Sequence, residues 1–142
     1  MTPSLEVKSG NILPRSFYDR PAPQVAPELI SCRLVRIYNG QRLAGLITEA
    51  EAYQGEEDLA CHARAGLTPR TEPMYGPPGH AYIYFTYGMH WLLNAVTDGL
   101  GEPAAVLIRG IWPTEGLEQM AALRPALARQ KGWLDGPAKL AQ

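Results

Sequence analysis

The stretch Thr48-Glu49-Ala50-Glu51-Ala52-Tyr53 places two carboxylates two residues apart. In an extended strand the side chains alternate, so Glu49, Glu51 and Tyr53 share one face and Thr48, Ala50 and Ala52 the other. Glutamate is a poor strand former, and two of them in a β-prone run ask for a reason. A solvated edge face is one reason. A carboxylate placed as a general base is another. Arg109 raises the same question from inside the apolar run AAVLIRGI. A cation there needs a partner, because an isolated charge is costly to take out of water. It is either a structural ion pair or outward-facing arginine, or the partner of Glu51 across a bound water. Arginine stays protonated, so in the second case it orients the water and stabilises charge rather than accepting a proton.

The segment AYIYFTYGMHWLLN is the most distinctive in the chain. It reads as a β-hairpin with Tyr82 and Tyr84 on one face and Tyr87 near the tip beside Gly88. A tyrosine-rich hairpin packed in the core accounts for this pattern. So does a stacking platform with a wedge, since an aromatic at a hairpin tip can enter a duplex and fill the space left by an extruded base. Asn94 returns on the second strand, where an amide among apolar residues needs polar partners or reads a ligand edge. His62, His80 and His90 form no spacing typical of a metal site, Cys32 and Cys61 are too far apart for a zinc site or disulfide framework, and no catalytic metal is expected.

The elements that must position these groups follow from the same string. Residues 23–31 predict a short helix, with Pro23 and Pro27 confined to its start. Arg33 to Tyr38 and Arg42 to Tyr53 predict two strands joined at Asn39-Gly40, a turn that needs positive φ at both central positions. Residues 54–79 hold eight glycines and prolines and predict a long irregular segment. Ala81 to Thr86, Met89 to Val96 and Ala104 to Ile111 predict three more strands. Thr114 to Leu123 predicts a helix capped by Thr114. The expected fold is α+β: a single domain built on a curved antiparallel β-sheet with a protruding β-hairpin and peripheral short helices, residues 14–142, after a loose leader over residues 1–13.

Composition constrains the rest. The chain has 142 residues, 46% of them hydrophobic and 19% charged, with thirteen prolines and fourteen glycines, which suits one loop-rich globular domain. No run approaches the roughly 20 apolar residues of a membrane helix. The N-terminus lacks the basic start and apolar stretch of a secretory signal, so the expected address is the cytoplasm, in association with a bacterial nucleoid. A net charge of −1 counts against a phosphate-gripping protein. The distribution matters more: acids cluster from Glu49 to Asp58, His62, Arg64 and Arg70 follow, and residues 73–97 carry no Asp, Glu, Lys or Arg but are rich in tyrosine. That pattern suits stacking on bases.

TEAEAYQGEEDLACHAR, TPRTEPMYGPPGHAYIYFTYGMHWLLNAV and PAAVLIRGIWPTEGLEQM, with FYDRPAPQVAPELISCRLVR before them and GPAKLAQ after, occur in this order. Together they resemble the alkyladenine (3-methyladenine) DNA glycosylase family of the type found in mammals and many bacteria, over roughly residues 14 to 142. The resemblance implies that Glu51 deprotonates the attacking water and Arg109 holds it. It implies that Tyr53, His62 and Tyr84 line the base pocket, and that Asn94 rejects normal guanine by crowding its exocyclic amine. It further implies that Tyr87 inserts into the DNA, with Met89 and His90 beside it in the minor groove, and that Arg64 and Arg70 meet phosphates. The substrate so implied is double-stranded DNA with damaged purines, met by a monomer without cofactor. The family continues past the GPAKLAQ-like motif with a part that closes the sheet and adds a carbonyl to the water site, whereas this chain stops at Gln142. A catalytically weak or inactive lesion-binding module is therefore the alternative reading, and a small-molecule hydrolase using Glu51 and Arg109 a third.

Overall fold

The computed structural model describes residues 12–55, 68–69, 71–86, 90–99 and 103–131, with the side chains of Thr86 and His90 excepted. Five strands form one antiparallel sheet in the order β1-β2-β5-β4-β3. They are β1 (Arg33–Tyr38), β2 (Gln41–Gln54), β3 (Ala81–Thr86), β4 (His90–Val96) and β5 (Ala104–Glu115). Short helices lie around the sheet: α1 (Arg15–Tyr18), α2 (Ala22–Leu29), α3 (Leu117–Leu123) and α4 (Pro125–Ala128), with a 3-10 turn at Glu72–Tyr75. This is the α+β single domain on a curved antiparallel sheet that the sequence predicts. Among the described residues no helix is long and apolar enough to cross a membrane.

The β1–β2 hairpin turns where expected. Asn39 and Gly40 take φ of 49° and 75°, and Tyr38 pairs with Gln41 directly across the turn. Both φ values are positive, as the twist of a two-residue hairpin demands. Helix α2 buries Ala22, Val25, Ala26 and Leu29, a stripe at helical spacing. Pro27 lies inside this helix rather than at its start. The bond it forgoes is the one to the carbonyl of Pro23 in the first turn, and the burial of Val25 and Leu29 holds the segment in place. Asp98 helps from 76 residues away: its Oδ1 accepts the free backbone N–H of Ala22 at 3.0 Å.

The sheet is covered on both faces. On one, α2 packs with Cys32, Ile47, Val106, Ile108 and Ile111. Here burial pushes the Cys32 thiol and the Tyr18 phenol up from their ordinary values. On the other, Met74 of the 3-10 turn packs with Tyr82, Val96 and Ala105, and Tyr53, Tyr75 and Tyr84 lean against them. β5 lies between β2 and β4, and its run from Ala104 to Ile108 is buried throughout, as expected of a strand covered on both sides.

Two elements differ from the sequence expectation. Thr114 is not a helix cap, because β5 continues to Glu115 and α3 begins at Leu117 after Gly116. Gly116 takes φ of 77°, and a Cβ there would sit 2.5 Å from Leu43 Cδ2 and 2.8 Å from the Arg42 carbonyl oxygen. Strand pairing of Glu115 with Ala44 and this close approach decide the boundary, neither of which is local in sequence. Second, the helical segment continues beyond α3 as a further turn, α4, started by Pro125.

Candidate active site

Glu51 stands on β2 opposite Leu107 of β5. Leu107 is in turn opposite Asn94 of β4, and Asn94 is opposite Tyr82 of β3. Directly paired residues share a face of the sheet. Glu51, Leu107, Asn94 and Tyr82 therefore form one row across four strands, on the face that also carries Tyr53, Tyr84, Ala105 and Val96. The predicted side-chain alternation of β2 holds through this region: Ala50 packs into the opposite core.

Arg109 lies two residues beyond Leu107 on β5, so strand alternation puts it on the face of this row. Glu49 pairs with Gly110 and Ala50 with Ile108, so the register steps past Arg109. The Arg109 Nε lies 3.4 Å from Glu51 Oε1, with side-chain exposures of 37% and 43%. A half-exposed pair contributes little to stability, on the order of 0–1 kcal/mol. Its consequence is orientation, since the carboxylate has a fixed cationic neighbour on one oxygen. On the other, Oε2 accepts a hydrogen bond from the Tyr53 hydroxyl.

Asn94 is 6% exposed. Its Nδ2 donates to the Tyr82 carbonyl oxygen at 3.2 Å, which supplies the polar partner a buried amide requires. Tyr82 and Tyr84 meet edge to face, with centroids 5.8 Å apart and planes at 71°. An acid with an orienting cation, a buried amide and a cluster of aromatic rings thus share one face. The acid can take a proton from water, and the rings can stack on a planar, electron-poor ligand. Among the described residues no group of three or more His, Cys, Asp or Glu side chains is placed to hold a metal.

Of the residues singled out from sequence, Glu51, Arg109, Tyr53, Tyr84 and Asn94 come together on this face. His62, Arg64, Arg70, Tyr87 and Met89 lie outside the described residues, as does the His90 side chain. The backbone of His90 pairs with Thr86 at the last described rung of the β3–β4 hairpin. Tyr82, which the sequence put on one face with Tyr84, and Met74, which it gave no role, are both 2% exposed and back the site. The signal for Tyr82 was its shared face with Tyr84. For Met74, within a Pro- and Gly-rich loop, there was none.

A model of the methylpurine-DNA glycosylase family matches residues 16–142. The chain belongs to that family. Its relatives include three proteins provisionally named 3-methyladenine DNA glycosylases. One, from Carboxydothermus hydrogenoformans, is 51% identical over 131 residues, covering 92% of this chain and 68% of the relative. One from Burkholderia lata is 48% identical over 133 residues, covering 94% and 63%. One from Myxococcus xanthus is 60% identical over 107 residues, covering 75% and 55%. The matched part of this chain thus spans between 55% and 68% of the length of these relatives. The family match runs across every element that carries the site, from α2 through β5.

Proposed function

We propose that this chain is a DNA base-excision enzyme that acts on damaged purines, alkylated or deaminated: 3-methyladenine, 7-methylguanine, hypoxanthine and ethenoadenine. The purine is turned out of the duplex and held on the tyrosine-lined face. The water oxygen bonds to C1′ of the sugar while the C1′–N9 bond breaks. Glu51 takes the proton from that water, and the bonding pair leaves on N9. The products are the free base and an abasic site. The sugar passes through an oxocarbenium-like state, so a carboxylate beside it offsets positive charge as well as activating water.

3-Methyladenine and 7-methylguanine are cationic in the nucleotide, and cleavage neutralises them, which makes them good leaving groups; hypoxanthine and ethenoadenine are neutral and leave as anions that take a proton from solvent. Rings such as Tyr53 and Tyr84 favour a cationic base by about 1–2 kcal/mol through cation–π stacking. No lysine lies in the motifs that carry the site, so a Schiff-base lyase step has no nucleophile there and simple hydrolysis is the reaction assigned. Asn94, beside Tyr82 in the same row, is the group assigned to reject guanine.

The observation that carries this reading is the row Glu51–Leu107–Asn94–Tyr82 with Arg109 against Glu51. The test is single-turnover excision on a panel of damaged duplexes. The chain should release hypoxanthine or 3-methyladenine. Glu51→Gln should lower the rate by at least about 100-fold, as for loss of a general base, while lesion binding persists. Unchanged release by that variant removes Glu51 from the role of base, and no release by the native chain on any duplex overturns the reading.

A further inference from the structure

The position of Tyr53 gives it two tasks that a ring alone would not need. Its ring leans on the cluster of Met74, Tyr82, Val96 and Ala105. Its hydroxyl donates to Glu51 Oε2, two residues back on the same face of β2. A tyrosine side chain is long enough to span that interval, and side chains of a strand lean along it. The other carboxylate oxygen, Oε1, lies against Arg109. Each oxygen of an ionised carboxylate has two acceptor sites, so the Tyr53 bond leaves a site on Oε2 for water. With a hydroxyl donor at one oxygen and a cation beside the other, the carboxylate is held from both sides.

We propose that Tyr53 is a positioning residue for Glu51, its hydroxyl holding the carboxylate in the orientation from which the base meets the water. This inference rests on the glycosylase reading above and goes beyond stacking, which a phenylalanine would supply as well. The ring is anchored in the Met74–Tyr82 cluster, and the cluster lies beside the aromatic face that would receive the purine. Tyr53 therefore ties the orientation of the base to the wall of the pocket.

Tyr53→Phe removes one oxygen and keeps the ring, which makes it the deciding variant. The expected result is a single-turnover excision rate lowered by about tenfold or more, in line with the cost of misplacing a catalytic group, with affinity for a duplex carrying the lesion within about twofold of the native chain. A rate within twofold of native overturns the proposal, because the ring then suffices. A loss of rate matched by an equal loss of affinity also overturns it, since that marks a binding wall. A second measurement needs no turnover: the melting temperatures of Tyr53→Phe, Glu51→Ala and the double variant. If the hydroxyl holds the carboxylate, the double variant melts at least about 2 °C above the value expected from adding the two single shifts. Additive shifts overturn the proposal. Should the native chain release no base, the glycosylase reading fails while this cycle still decides the Tyr53–Glu51 contact.

Discussion

At the scale of single residues, the site turns on how a carboxylate is held. Glu51 is half-exposed, as is Arg109, so their attraction is screened and adds little to folding. What the arginine contributes is placement, because its planar guanidinium sets a cation 3.4 Å from Oε1. Arg109→Lys keeps the charge and loses that geometry. If the arginine acted only through its charge, the lysine variant would excise at the native rate. The expected outcome is a single-turnover rate lower by about 10- to 100-fold, with binding of lesion duplex largely retained and the melting temperature close to native. Stopped-reaction kinetics on a hypoxanthine duplex at saturating protein measure this directly.

At the scale of elements, the same site depends on register. Glu51 and Asn94 are 43 positions apart by their numbers, and they share a row because β5 lies between their strands and pairs Leu107 with both. The end of β5 is set by Gly116, whose φ of 77° and close approach to Leu43 and Arg42 allow no side chain. A left-handed alanine costs about 1–2 kcal/mol and overpacking about 1–3 kcal/mol more. Gly116→Ala is therefore expected to lose roughly 2–5 kcal/mol of stability in urea unfolding. A loss below 1 kcal/mol would mean that α3 swings away at little cost. Much of this layer was legible from the sequence: the Asn39-Gly40 turn, the strands from Arg33, Ala81 and Ala104, and the shared face of Glu51 and Tyr53 all rest on local rules. The bulge beside Arg109 and the start of α3 were not legible, because each is decided by a partner strand remote in sequence. Pro27 inside α2 was missed for a similar reason: packing of Val25 and Leu29 outweighs a local preference.

At the scale of the whole molecule, charge and aromatic surface say how the proposed glycosylase would hold DNA. Thirteen lysines and arginines face fourteen aspartates and glutamates, for a net charge of −1. Several of those cations are already engaged: Arg20 with Glu28, Arg33 and Arg42 with Glu115, and Arg109 with Glu51. Against this, the β3–β4 hairpin carries rings on both faces. Tyr82 and Tyr84 lie on the site's face, whereas Phe85 and Trp91 pair on the other, with centroids 4.6 Å apart and exposures of 37% and 59%. Stacking on bases is worth about 1–3 kcal/mol per base and is insensitive to salt, whereas each neutralised phosphate adds about 0.9 to the slope of log affinity against log salt. If the proposed activity holds, the chain is expected to bind lesion duplex with a slope no steeper than about −4, from around four phosphate contacts or fewer. Fluorescence anisotropy of a labelled ethenoadenine duplex between about 50 and 200 mM salt reads the slope over the range in which phosphate contacts dominate. A slope of about −6 or steeper would show that arginines and lysines carry the affinity after all, and would move the search for the DNA-holding surface from the hairpin's rings to the cations.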